Sequence, residues 1–284
     1  MLYARAFRSG APTADAVWFK NAISAAVLVA AAMLFGTRFG GGPAAPGEAG
    51  WLALAGFAAV CVGDLLYFLA ISHIGVARTV ILTQATPAVT ALVAWPVYGE
   101  ALAGGQWLGV LLVCFGGVVA ESRRLARRPT DRLGTLCALA CIVAWTTGNM
   151  VIRLGVEGTG PLTGAAWRLV GAAAGFAAFY LVRGTLLKRL RALAAPAMWR
   201  SFALPTFVGT VLGMGLNTAG FKWAPVGVAS ALASALPLFT VPLAIWVLGE
   251  RPGGRGWAGA LLVVAGVALL GFSGVSAAAE GAAG

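Results

Sequence analysis

Apolar residues in this chain come in runs of about 17 to 22, separated by short polar or charged stretches, which is the length that crosses a hydrocarbon core of roughly 30 Å. Nine runs predict nine spans: Ala16–Phe35, Trp51–Ile74, Ala77–Tyr98, Gln106–Ala120, Leu133–Ile152, Leu162–Val182, Phe202–Phe221, Val226–Leu248 and Gly256–Ser273. In lipid the backbone must satisfy itself within each segment, so all nine are expected to be helices. Only the turn signal of Gly75 and Arg78 in "ISHIGVART" divides the second run from the third. A division is required there, because the two runs together are far too long for one helix in a bilayer.

The pattern also repeats. A shift of 150 residues lays "TPAVTALVAWPVYGEALAGGQWLGVLLVCFGG" on "LPLFTVPLAIWVLGERPGGRGWAGALLVVAGV" without a gap. Pro87 falls on Pro237, Thr90 on Thr240, Gly99 on Gly249, Glu100 on Glu250, Trp107 on Trp257, Gly109 on Gly259 and Gly116 on Gly266. About a third of positions in 63–116 are identical to their counterparts, well above chance even for this composition. The chain therefore reads as a tandem duplication, with one copy over 1–121 and the other over 132–276. The second copy has five spans, an odd number, so the copies are expected to enter the membrane in opposite orientations. The first copy has four, and the counterpart of "LGTLCALACIVAWTTGNM" would lie upstream of Met1. A native chain with a tenth helix, and Met1 as an internal methionine or a trimmed end, is the corresponding expectation.

Composition narrows the class. Of 284 residues, 60% are hydrophobic and 10% charged, which excludes a soluble globular domain and a disordered chain. The 40 glycines follow no collagen-like period. A formal net charge of +11 would suit nucleic acid, but the arginines lie in short loops without interleaved stacking aromatics, so no nucleic-acid partner is expected. Their distribution is a topology signal instead. One side collects Arg5, Arg8, Lys20, Arg78, "RRLARR", Arg132, "RGTLLKRLR", Arg200, Arg251 and Arg255; the other has little beyond Arg38, Arg153, Arg168 and Lys222. The basic loops are expected to be cytoplasmic, which puts the start of the chain inside and its end outside. The stretch "LLKRLRALAAPAMWR" fits either an interfacial helix or a solvated loop. Cys61, Cys114, Cys137 and Cys141 lie within apolar runs and read as core residues, with no metal and no cofactor expected.

The twice-repeated motif is a helix with a central proline that ends in "YGE" or "LGE", followed by Trp and Gly opening a helix with a late glycine. It resembles the EamA domain of the drug/metabolite transporter superfamily. The segments "GDLLYFLAISHIGVARTVILTQATPAVTALVAWPVYGE" and "APVGVASALASALPLFTVPLAIWVLGERP" look like helices three and four, and eight and nine, of the tandem form. The resemblance covers nearly the whole chain. It implies an all-α polytopic helical bundle of two inverted repeats on a ten-helix plan, here without the first helix. It also implies a carrier of small metabolites, often an exporter of amino acids or related compounds. Members of the family usually have both termini inside, whereas the charge count here places them on opposite sides.

Asp64 is the sharpest single feature. It lies about thirteen residues, roughly 20 Å, into its span. A carboxylate at that depth costs at least about 2.5–3.5 kcal/mol, so such residues usually face a cavity and serve a substrate or a coupling proton. Tyr67 shares its face at i+3 and can donate a hydrogen bond. The alternative role is a protonated structural carboxyl; the second-repeat counterpart, Met214, carries no charge. Pro87 and Pro237 interrupt their helices and free the carbonyls of Thr83 and Ala233, and the polar residues around them, Thr83, Gln84, Thr86, Thr90, Ser230, Ser234 and Thr240, are candidate substrate contacts or packing bends. Asn217 is a further polar candidate within a span. Lys20, Arg168 and Lys222 lie near span ends and are expected to snorkel to the interface, the alternative being that one of them pairs Asp64 or a substrate carboxylate. The single histidine, His73, reads as interfacial, with a proton relay as the alternative, and Glu100 and Glu250 as complements to the amino end of the helix that follows each.

No Walker lysine motif, HExxH, nucleophile elbow or dinucleotide fingerprint is present, which leaves no basis for an ATP-driven pump or a soluble-type enzyme. The expected function is secondary transport of a small organic metabolite across the plasma membrane by alternating access, as a monomer or homodimer. A flippase of a lipid or lipid-linked intermediate, an intramembrane enzyme and a non-transporting subunit are the competing classes.

Overall fold

The computed structural model describes residues 13–36, 44–122, 131–193, 199, 206–235 and 254–283. Among these the chain is helical, with no strand. In order the helices are α1 (Thr13–Phe35), α2 (Pro46–Ile74), α3 (Val76–Thr83), α4 (Thr86–Tyr98), α5 (Gly104–Glu121), α6 (Arg132–Val156), α7 (Pro161–Val182), α8 (Leu186–Leu193), α9 (207–223), α10 (Val226–Ala233) and α11 (Gly254–Ala283). Pro46–Ile74, Val76–Tyr98, Arg132–Val156 and Pro161–Val182 are long and apolar enough to cross a membrane, and Lys20–Phe35, Gly104–Ala120 and Gly254–Leu270 are shorter apolar helices. Leu92, Leu111, Leu136 and Val143 stand at least half exposed, as expected where the surroundings are hydrocarbon and not water. The protein is a multi-pass membrane protein.

The repeat is visible in the backbone. α3 and the π-helical stretch Phe57–Gly63 of α2 begin 150 residues before α10 and the π-helical stretch Phe207–Leu212 of α9. The chain separates into two compact units, Met1–Phe68 with Thr147–Trp223, and Leu69–Thr146 with Ala224–Gly284. Each draws residues from both repeats, and the three divisions fall inside α2, inside α6 and between α9 and α10.

In the first unit α7 packs against α1, α2 and α9. Small residues set this packing, since helices in lipid gain from close van der Waals approach and not from hydrophobic burial. A β-carbon on Gly56 of α2 would overlap the backbone of Arg168, and one on Gly171 of α7 would overlap that of Ala53. Gly175 faces Phe57 and Cys61, while Gly148 and Gly155 of α6 face Ala55 with Ala59 and Glu48 with Leu52. The small pair Gly171 and Gly175 thus serves intramolecular packing. A β-carbon on Gly213 would meet nothing within 4 Å, so the other small pair, Gly209 with Gly213, has no such contact at its second member. Trp18 closes the α1–α7 contact, its ring 6.5 Å from Phe176 and 5.8 Å from Tyr180.

In the second unit α5 packs along α11 and α4 along α10. A β-carbon on Gly109 would come within 3.0 Å of the Gly266 carbonyl, and one on Gly116 within 2.8 Å of that of Gly259. The contact runs up one helix and down the other, so α5 and α11 are antiparallel. Each glycine meets the counterpart of its neighbour in the other repeat, which is what a two-fold relation between equivalent helices produces. Val110, Val113, Val228, Ala231 and Leu270 fill the core beside this seam. The turns fall on glycines with left-handed backbone, Gly75 (φ 83°) before α3 and Gly99 (φ 68°) after α4.

Candidate functional site

Asp64 is the first residue after the π-helical stretch of α2, a backbone irregularity that often marks functional positions. Its Oδ2 accepts a hydrogen bond from Lys20 Nζ of α1 at 3.1 Å. The two side chains keep 18% and 20% exposure, so both charges are largely withdrawn from their surroundings but not sealed. Lys20 therefore does not snorkel: a cation inside a span gains more from the carboxylate beside it than from reaching the interface. Tyr67, one turn on, packs its ring edge-on to Phe68.

Arg168 overturns the snorkelling expectation more completely. It is 3% exposed, and its Nη1 donates to Asn217 Oδ1 at 2.8 Å and to Thr218 Oγ1 at 3.0 Å. Thr218 in turn donates to the Met214 carbonyl at 2.8 Å, which holds its oxygen toward the guanidinium. Asn217, a candidate from sequence, is thus bound to a cation that the sequence reading placed elsewhere. Lys222 donates to the Thr159 carbonyl at 2.8 Å, and Thr159 donates to Glu48 at 2.8 Å. Glu48 also accepts from the Ala45 amide at 3.1 Å, which fastens the start of α2. All of these groups belong to the first unit.

In the second unit the helix breaks at Gln84 and Ala85, and Pro87 stands in the first turn of α4, where its missing N–H costs nothing. The carbonyl of Thr83 accepts from the Thr86 hydroxyl at 2.7 Å, so the break satisfies itself. Thr83 Oγ1 donates back to Thr79 O at 3.0 Å. Both threonines are buried and turned toward backbone. Gln84 is 8% exposed, and its Nε2 has no hydrogen-bond partner among the described residues. It lies in the space left by Gly117, where a β-carbon would collide with the side-chain amide.

Ser230 Oγ lies 3.5 Å from Thr90 Oγ1, and Thr90 Oγ1 lies 3.4 Å from Thr146 Oγ1, so three hydroxyls from α10, α4 and α6 meet. Ser234 ends α10, its amide donating to the carbonyls of Ser230 and Ala231. Pro237, Thr240 and Glu250 lie outside the described residues. Glu100 does complement a helix amino end, but not that of the helix after it: its Oε2 accepts from the Val226 amide at 2.6 Å, at the start of α10. The amino end of α5 is closed by Gln106, which accepts from the Ala103 amide. His73 Nδ1 lies 2.5 Å from Asp131 Oδ2, a partner the sequence gave no sign of. Among the described residues no group of three or more His, Cys, Asp or Glu is placed to hold a metal ion.

Comparison with known proteins agrees with this architecture. Over 141 residues, half of this chain and 44% of the relative, the sequence is 32% identical to the Uncharacterized inner membrane transporter YedA of Escherichia coli strain K12. The same match is found in the YedA proteins of E. coli O6:H1 and O157:H7. The chain thus spans less than half the length of the curated relatives it matches. A chain of known crystal structure superposes with a TM-score of 0.73 over 94% of this chain and 90% of its own length, at 20% identity, which supports the fold alone. The family model described as the EamA-like transporter family matches residues 1–120 and again 132–272. With the motif present twice and a match over nearly the whole length, the chain belongs to the EamA-like transporter family, a family of membrane transporters.

Proposed function

We propose that this chain is a secondary carrier of the plasma membrane that exports a small organic metabolite of the amino-acid type by alternating access. The observation that carries the proposal is the Lys20–Asp64 pair, two opposite charges 3.1 Å apart, one where the apolar stretch of α1 begins and one inside the membrane-length helix α2, and still about a fifth exposed. Buried ion pairs are poor stabilisers, because desolvation offsets much of their attraction, so one retained there favours a use beyond stability. An ammonium and a carboxylate side by side complement the carboxylate and ammonium of a zwitterion. A proton on Asp64 would release Lys20 for the solute carboxylate, which is how the pair can couple a proton to transport. Each step needs a solute that contacts the two states differently.

The inverted repeat supports alternating access, since the antiparallel α5–α11 seam relates equivalent helices of the two copies. The distribution of lysine and arginine supports basic loops on the cytoplasmic side.

Counterflow in proteoliposomes tests the reading, with a pooled panel of labelled amino acids and, in parallel, a fluorescent phospholipid. The expected result is saturable accumulation of one or a few water-soluble solutes without lipid movement. Lipid translocation without solute counterflow would replace the carrier with a flippase.

A further inference from the structure

A second set of polar groups lies on α1, next to Lys20 and unused by the ion pair. Asn21 and Ser24 are fully buried, at 0% exposure, and Trp18 is 5% exposed. The Asn21 amide nitrogen and oxygen, the Ser24 hydroxyl and the Trp18 indole N–H have no hydrogen-bond partner among the described residues. Their spacing places them together: Trp18, Asn21 and Ser24 follow at i, i+3 and i+6, and Ser24 stands one turn from Lys20 at i+4. α1 packs on α7, where Trp18 meets Phe176 and Tyr180, and on the π-helical part of α9.

Leaving one buried polar group unpaired is costly, and here four such atoms gather on one helix. Side chains of the same volume without polar atoms would fit and would remove the penalty. The penalty is recovered if another conformation gives these atoms partners. We propose that Trp18, Asn21 and Ser24 form a hydrogen-bonding subsite, opened in another conformation of the carrier, for a neutral polar group of the solute held by Lys20 and Asp64. The inference rests on the carrier reading and deepens it. Asn21 supplies a donor and an acceptor, Ser24 either, and Trp18 a donor, which suits a solute carboxamide or hydroxyl. A site of this kind discriminates strongly against an isostere that leaves its polar atoms unpaired.

The test uses the chain with Cys61, Cys114, Cys137 and Cys141 replaced by alanine and Ser24→Cys added, reconstituted and exposed to a small methanethiosulfonate reagent. Leu28→Cys, at a position 1% exposed one turn further along α1, is the buried control. The subsite predicts labelling of Ser24→Cys at least about tenfold faster than the control, slowed about threefold or more by asparagine or threonine but not by their isosteres leucine and valine. A rate equal to the control, or equal slowing by both members of each pair, overturns the inference. Asn21→Leu in the otherwise native chain gives a second readout. Removal of an unpaired buried amide should raise the melting temperature by about 2–4 °C. A lower value would mean that Asn21 is satisfied in the resting protein, and would equally overturn the subsite. Neither readout requires transport, so a wild-type chain without counterflow but with selective protection of Ser24→Cys would defeat the carrier reading and leave the subsite standing.

Discussion

Lys20 and Asp64 hold each other in a place where neither charge is comfortable alone. Lys20→Met leaves Asp64 in a span without its cation and should cost about 1–3 kcal/mol, less than a fully buried pair because a fifth of each side chain stays exposed. Lys20→Met combined with Asp64→Leu should recover most of that stability and none of the transport. Thermal melting of the two variants beside counterflow checks both halves; a double variant less stable than either single change would mean that the pair is mainly structural. Arg168 is bound more tightly into the fold. Arg168→Met removes the donor to Asn217 and Thr218 and should destabilise the first unit by at least about 2 kcal/mol. Asp64 was legible in the sequence because a carboxylate in an apolar run has few explanations. The partners were not: whether Lys20 and Arg168 turn inward or snorkel depends on the rotation of α1 and α7 about their axes, which no hydropathy pattern specifies.

Helix packing is decided at glycines. Gly56 and Gly171 allow α2 and α7 to touch backbone to backbone, so Gly171→Ala should separate these helices and sharply lower the yield of folded protein. By contrast Gly104→Ala, where a β-carbon meets nothing within 4 Å, should be tolerated, and the comparison in detergent extracts checks the point. Glu100→Gln weakens the contact with the Val226 amide and should destabilise by about 0.5–2 kcal/mol, measurable as a lower melting temperature. The four helices of membrane length were legible because about twenty apolar residues between charges have one reading in lipid. The π-helical stretches were not, since "FAAVCVG" and "FVGTVL" differ from their α-helical flanks in nothing that periodicity records. The partner of Glu100 was equally hidden: reaching the start of α10 is a tertiary matter, and the nearest helix in sequence was the natural but wrong expectation.

At the scale of the whole chain, duplication was the most legible property, because a constant shift of 150 residues aligns motif with motif and, in the structure, element start with element start. The orientation of the copies followed from counting spans, and the antiparallel meeting of Gly109 with Gly266 and of Gly116 with Gly259 agrees with it. Topology in the membrane rests on charge alone and is checkable. A cysteine placed in the "RRLARR" segment of a chain without its native cysteines should react with an impermeant reagent only from the cytoplasmic side.

The central claim is that the carboxylate of Asp64 takes part in moving a solute. The most direct measurement is counterflow of the panel solute by wild-type protein and Asp64→Asn in matched proteoliposomes, with the variant shown to be folded by its melting profile. The account predicts saturable accumulation by the wild type and background uptake by the variant, whereas equal kinetics in the two would remove Asp64 from the mechanism.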